Sequence, residues 1–324
     1  MAVTPCTNPG VPPNSNHARA MYVWNPASAI DTDAHLQTLL NFCCNNGVNV
    51  VFIDFYSYLG GANWTAARLA RMQTALDNMH KSGIRVYALS GDVSWTYNQQ
   101  WVLKNLVQPY MRYQNVATSV THRFDGWSVD IEYWADATQS ASVACPQMCD
   151  FIRALKEITG QPVGAFAAFY LKDNTGARPS FSYQGKTAQD GEFIMDNADF
   201  VVVGAYRNHA NDNGTDGPGQ ISFTQPWYDY AKQAGKNRGL YCGSETQNQQ
   251  PAYITYFGMT RTQMEAQHTL ISAAFAPGGT LAAPVGSVFL GQAIDEYVSW
   301  AAMAPSIKGP GGRYAAAGLS PLNS

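Results

Sequence analysis

Charge is what this chain has least of. Asp, Glu, Lys and Arg make up 13% of its 324 residues, the formal net charge is −3, and no cluster of Lys or Arg interrupts the neutral polar stretches. Such a surface has no electrostatic footprint for nucleic acid or for an anionic membrane. Nor does any apolar run approach the ~20 residues that a membrane-spanning helix needs. The first residues, "MAVTPCTNPGVPPNSNH", lack a basic segment followed by an apolar one, so no signal peptide is visible, although a chain starting after a removed signal would read the same. No G-x-G-x-x-G turn follows the first apolar run, which argues against a dinucleotide site. The six histidines are scattered, at 17, 35, 80, 122, 209 and 268, without an H-x-H pair, so neither a catalytic metal nor another cofactor is expected. The six cysteines, at 6, 43, 44, 145, 149 and 242, match no zinc spacing. Cys145 and Cys149 could close a local disulfide and Cys6 could pin the N-terminal tail; buried free thiols are the alternative.

Aromatic residues, by contrast, are plentiful, with 8 Trp, 18 Tyr and 14 Phe. Together with abundant Asn and Gln they suit a surface that stacks on neutral polar ligands such as sugars and hydrogen-bonds to them. A secreted, monomeric protein with a carbohydrate partner is the expectation. Short apolar runs recur at about 20–25, 48–56, 84–92, 124–132, 162–169, 199–206, 239–246 and 287–294. Between them lie stretches of helical periodicity, several ending at a Gly that fits a left-handed cap, as at Gly160. Eight strands alternating with helices over one continuous stretch predict an α/β fold, a single (β/α)8 TIM barrel. A doubly wound open sheet is the competitor. The expected organisation is a leader over 1–19, a catalytic barrel over 20–310 and a tail over 311–324.

In such a barrel the working groups stand at the C-terminal ends of the strands. Polar residues collect there: Asn25, Asp54, Asp92, the Asp130/Glu132 pair, Tyr206 and Arg207, Glu245, then Gln292, Asp295 and Glu296. Helix caps and ion pairs with Arg207 and its neighbours account for Asp92 and Asp295. Asp54 reads either as a cap or as a substrate-binding residue. Caps do not account for Asp130 and Glu132, which end the apolar run "FDGWSVDIE" two positions apart and so share a face. A carboxylic acid beside a carboxylate resists double ionisation, which raises a pKa and lets a Glu keep a proton near neutral pH. A donor of that kind serves glycosidic cleavage.

"FDGWSVDIE" resembles the D-G-x-D-x-D-x-E signature of family 18 glycoside hydrolases, the chitinases and endo-N-acetylglucosaminidases, which are (β/α)8 barrels. Asp125 and Gly126 match its opening, Asp130 its last Asp and Glu132 its Glu. The resemblance implies Glu132 as general acid and Asp130 as the residue orienting a substrate N-acetyl group, whose carbonyl attacks the anomeric carbon. It also implies that Tyr206, in "GAYR", supports that carbonyl. The chain departs from the family pattern at Ser128, where the family has a third Asp. It departs again at Gly204 and Arg207 on the sixth barrel strand, and in the absence of a Trp on the eighth.

A second scheme pairs Glu132 as acid/base with Glu245, at the end of the seventh barrel strand, as nucleophile; the two carboxyls would then stand ~5–5.5 Å apart. Expected substrate contacts are Trp24, Asp54, Trp95, Trp134, Arg207, Trp227 and Gln292. A non-catalytic, lectin-like barrel is the reading from another functional class.

Overall fold

A computed structural model of the chain describes residues 3–6, 18–233, 239–281 and 288–305. The expected tail over 311–324 and most of the expected leader lie outside the described residues. Eight parallel strands close into a barrel in the order β1-β10-β9-β8-β5-β4-β3-β2. They are β1 (Ala18–Val23), β2 (Val50–Asp54), β3 (Arg85–Ser90), β4 (Gly126–Val129), β5 (Val163–Ala168), β8 (Phe200–Gly204), β9 (Gly239–Glu245) and β10 (Phe289–Asp295). Strands β6 (Phe181–Tyr183) and β7 (Lys186–Ala188) form a separate antiparallel hairpin that the apolar pattern did not signal. Each of them has only three residues and little buried apolar surface, so neither stands out from a loop. The closed barrel excludes the open doubly wound sheet.

The apolar runs sort into two layers because a strand sends alternate side chains to opposite faces. Tyr22, Phe52, Tyr87, Leu89, Phe200, Val202 and Tyr241 fill the interior. There Phe52 stacks on Phe200 at 5.7 Å and meets Tyr241 edge-on at 6.2 Å, so aromatic rings plug the barrel below its mouth. The alternate residues face outward onto the helices. Helix Asp33–Asn45 shows how the outer layer is written: Leu36, Leu39, Leu40 and Cys43 recur at helical spacing and are buried, while Thr32 caps the start by accepting from the His35 amide. Each such Leu contributes roughly 1.5–3 kcal/mol by leaving water. Gly47, Gly83 and Gly160 close three helices with positive φ, as the periodicity predicts.

Cys6 is bonded to Cys44, tying the segment before β1 to helix Asp33–Asn45 across 38 residues of sequence. Closing a loop of that length removes chain entropy worth about 4 kcal/mol from the unfolded state. Cys43, Cys145, Cys149 and Cys242 are free and buried, which corrects the local Cys145–Cys149 bridge. The two thiols lie one turn apart inside helix Ala141–Thr159, on its buried face.

Candidate active site

The mouth of the barrel carries two groups of carboxyls. On one side β4 hydrogen-bonds as a strand through Val129, and the Asp130 amide then donates to the Ser90 carbonyl at 3.1 Å, extending the pairing with β3. Close approach of the two chains is possible because residue 91 is Gly: a Cβ there would stand 1.7 Å from the Asp130 carbonyl oxygen. Asp130 and Glu132 therefore sit just past the strand end rather than on it. Oδ1 of Asp130 is buried and has no hydrogen-bond partner. Burial, followed by the charges of Glu132 and Asp295, holds the Asp130 carboxyl well above the usual carboxylate range. Burial also raises Glu132, which is only partly covered.

Across the mouth stand Glu245, Asp295 and Glu296. Glu245 and Asp295 are Cα partners in the β9–β10 register, so their side chains share one face. Glu245 is 3% exposed and accepts the Gln247 amide at 2.6 Å. Burial pushes Glu245 up to about 7, with backbone hydrogen bonds opposing and Glu296 reinforcing the shift. Asp295 accepts from Trp24 Nε1 at 3.0 Å and from the Tyr206 hydroxyl at 3.3 Å. Burial and the neighbouring Glu245 still push it up to about 8. The carboxyl raised by the charge of Glu132 is Asp130, and the one raised by the charge of Glu245 is Asp295.

Five of the expected site residues come together with this cluster: Asp130, Glu132, Glu245, Tyr206 and Trp24. Trp134 packs at the rim against Tyr133 and Phe166. Asp54 is a cap, accepting from the Tyr56 and Ser57 amides at the start of helix Phe55–Leu59, with its carboxyl raised by burial. Three expectations are corrected. Gln292 is fully buried on the outer face of β10, donating to the His268 carbonyl and Ser272, because it is out of phase with the inward-facing Ala293 and Asp295. Trp227 lies in helix Gln220–Gln233, fully buried, with Nε1 donating to the Phe169 carbonyl. The guanidinium of Arg207 lies over the rings of Phe223 and Tyr253 and donates to the Tyr206 carbonyl, and among the described residues it makes no ion pair with Asp92 or Asp295. Trp95 is 4% exposed and packs on Phe151, leaving only an edge for a ligand. Asp125, the opening of the motif, accepts from the Val86 amide and lies 3.0 Å from His80 Nε2, at the base of β4 rather than its mouth.

Asp295 is not the helix cap the sequence suggests, and Tyr22 is a further member of the cluster that the sequence does not single out. Tyr22 is an interior residue of β1, and its phenol is pushed well above the ordinary value by burial and by the charges of Asp130 and Asp295. Strand alternation is the signal that marks both: Trp24, just past β1, follows Tyr22 at period two, as Asp295 follows Ala293 on β10. Beside the mouth, a cavity of about 400 Å³ is lined by Tyr56, Gly91, Asp92, Ser94, Trp95, Asn98 and Trp101, so the expected contact Trp95 does edge onto it. Trp101 is 44% exposed and meets the Tyr56 ring at 5.7 Å. Among the described residues, no three His, Cys, Asp or Glu side chains are arranged to hold a metal ion, and no helix is long and apolar enough to cross a membrane.

No family model matches the chain, and no curated protein matches it in sequence. Solved structures match it in fold. A chitinase from Bacteroides thetaiotaomicron aligns with a TM-score of 0.51 at 13% identity, over 87% of this chain and 90% of that one. An endo-beta-N-acetylglucosaminidase from Cordyceps militaris aligns with 0.47 at 16% identity, over 86% and 81%. A chitinase from Chromobacterium violaceum aligns with 0.44 at 14% identity, over 71% and 68%. At such identities the likeness is one of fold. The chain shares a (β/α)8 barrel with the Bacteroides chitinase, the architecture that the resemblance in residues 124–132 implies.

Proposed function

We propose that the chain is a glycoside hydrolase acting on a glycan at a 2-acetamido sugar, with Glu132 as proton donor. The observation that carries this reading is the Asp130/Glu132 pair just past β4, with Glu132 partly open to the mouth and its charge felt by Asp130. The raised Glu132 keeps its proton toward neutral pH and can deliver it to the glycosidic oxygen as the C1–O bond breaks. The acetamido carbonyl oxygen bonds to C1 from the other face, and Asp130, whose Oδ1 lacks a partner, accepts the acetamido N–H. Water then attacks C1, gives its proton to the Glu132 carboxylate, and releases the sugar with its configuration retained. The sugar chain extends across the neighbouring cavity, where Trp101 offers a ring face and Asn98, Ser94 and Asp92 offer polar contacts.

The two-carboxylate scheme is disfavoured by the placement of Glu245. A nucleophile must reach C1 as an anion, whereas Glu245 is 3% exposed, held by the Gln247 amide, and raised by its burial. The test is hydrolysis of a panel of N-acetylhexosamine glycans and plain polysaccharides by the wild type and by Glu132→Gln. Turnover that survives the substitution would sink the proposal. Binding without cleavage by the wild type would make the barrel a lectin.

A further inference from the structure

Acidic side chains are missing from two stretches that the fold brings together. Residues 55–76 and 93–124 contain no Asp or Glu, although the whole chain has 23 of them, and they carry Arg68, Arg71, Lys104, Arg112 and Arg123. Between the two stretches lies a cavity of about 310 Å³ that none of the mouth's carboxyls lines. Its walls include Trp64 from the first stretch and Lys104, Asn105, Gln108 and Arg112 from the second. The Arg112 guanidinium lies 4.9 Å from the centre of the partly buried Trp64 ring. Stacked in that way, a guanidinium keeps its N–H edge free to fork onto an anion. Lys104 and Arg112 are both exposed, and among the described residues neither forms an ion pair or donates a hydrogen bond. Their neighbours are already engaged, Arg68 by the carbonyl and ring of Tyr58 and Arg71 by Asp33. Asn105 donates through Nδ2 to the Trp101 carbonyl at 2.9 Å, which leaves its Oδ1 to accept.

This cavity continues the one beside the mouth. Tyr56 and Leu59 are one turn apart in helix Phe55–Leu59, and Trp101 and Lys104 are one turn apart in the helical run 99–116. The first of each pair lines the mouth-side cavity and the second lines this one. Lys104 and Asn105 stand in a π-helical turn, Leu103–Val107, a widening of the helix often met at functional sites. The two cavities differ in sign. Asp92 lines the first, accepting the Ser94 amide at 2.8 Å, and a carboxylate there repels an acidic ligand. The second has cations alone. Resting on the reading that the mouth takes a glycan, we propose that the Trp64–Lys104–Arg112 cavity is a subsite for an acidic sugar of that glycan, one bearing a carboxylate or a sulfate ester. Arg112 forks onto two oxygens of the acid group, Lys104 adds a second charge, and Asn105 and Gln108 meet hydroxyls. The substrate class that follows is a glycan in which a neutral acetamido sugar at the mouth is followed, farther along, by an acidic one.

Titration calorimetry at low salt tests the subsite, using Glu132→Gln protein so that no ligand is consumed. Three oligosaccharides of equal length serve as probes: N-acetylglucosamine alternating with glucuronate, a sulfated N-acetylglucosamine oligomer, and the plain N-acetylglucosamine oligomer. At least one acidic oligomer should bind about five- to tenfold more tightly than the neutral one, the worth of two exposed charge contacts. The tighter of the two tells carboxylate from sulfate. The ratio of acidic to neutral affinity should fall toward one in the double variant Lys104→Gln/Arg112→Gln, and again at about 0.5 M salt. Both side chains are exposed, so the double variant keeps its core, which a circular dichroism melt checks. Equal affinity for all three probes, or a ratio that the double substitution leaves intact, overturns the proposal. So does equally tight binding of poly-glutamate, which has the charge without the sugar. The wild type separates this proposal from the hydrolase reading. Cleavage of the neutral oligomer with no preference for the acidic ones sinks the subsite alone. Acid-dependent binding through Lys104 and Arg112 without any cleavage sinks the hydrolase reading and leaves the subsite standing.

Discussion

The two sides of the mouth hold the same functional group in opposite conditions. On the β4 side, Asp130 has a buried oxygen without a partner, and Glu132 caps nothing. On the β9–β10 side, Asp295 accepts from Trp24 and Tyr206, and Glu245 accepts from the Gln247 amide. A buried carboxyl with unmet hydrogen-bonding capacity is costly to the fold and is relieved by a ligand that brings donors. One with its donors built in is anchored and gains little from a ligand. On the proposed reading, the side that costs the fold more is the side that meets substrate.

The sharpest way to break this contrast is to neutralise each side in turn. Glu132→Gln is expected to lower kcat by about 10²–10⁴-fold, the usual worth of a positioned general acid. Asp130→Asn should follow with about a 10²-fold loss carried mainly by kcat. Glu245→Gln should cost less than about tenfold, with no rescue by azide; a loss of several orders of magnitude that azide restores would move the nucleophile to the anchored side and invert the comparison. Rate against pH should fall on the alkaline side as Glu132, raised by burial, finally loses its proton.

Stability offers a second contrast. Asp295, up to about 8, and Glu245, up to about 7, are both raised in the folded protein, so folding favours their neutral forms. Their contribution is full below the ordinary carboxyl pKa of about 4 and is lost as pH rises through their folded values. Thermal melts of the wild type should therefore decline between pH 5 and pH 9. Asp295→Asn should decline less and melt about 2 °C or more above wild type at the alkaline end. A wild type that grew more stable over that range would contradict the burial of these carboxyls. The smallest effect is expected at the cavity beside the mouth: Trp101→Ala should raise KM for long substrates by about three- to tenfold, the loss of roughly 1 kcal/mol of ring contact, with kcat little changed.

Residues 124–132 could be read because everything they need is local. Apolar alternation makes the strand, and two carboxyls at period two share a face whatever the rest of the chain does. The eight barrel strands were legible for the same reason, each being a short apolar run between helices with their own stop signals. Closure of the barrel is not local. Which residues of β1 meet which of β10 depends on register, here Ala18 opposite Gly291, and on that register rests the hydrogen bond from Trp24 to Asp295. In sequence alone Asp295 therefore reads as a helix cap, whereas the neighbouring β1 segment supplies its Trp24 partner. Gln292 shows the cost of reading position without phase: it lies near a strand end, yet on the face packed against helix Arg261–Phe275. Trp227 shows the cost of reading an aromatic by its neighbourhood in sequence, since a helix carried it into the outer core.

Gly91 has no functional group, yet it decides how deep Asp130 sits. Its missing methyl lets the β3 main chain lie directly against the Asp130 carbonyl. Alanine there would have to push that backbone aside, and the carboxyl with it, leaving every reactive side chain of the mouth unaltered in identity and displaced in position. Selection on activity would then act at a residue that no inventory of acids, bases and aromatic platforms contains. A search for variants with altered substrate fit would do well to begin at the main-chain spacing between β3 and β4.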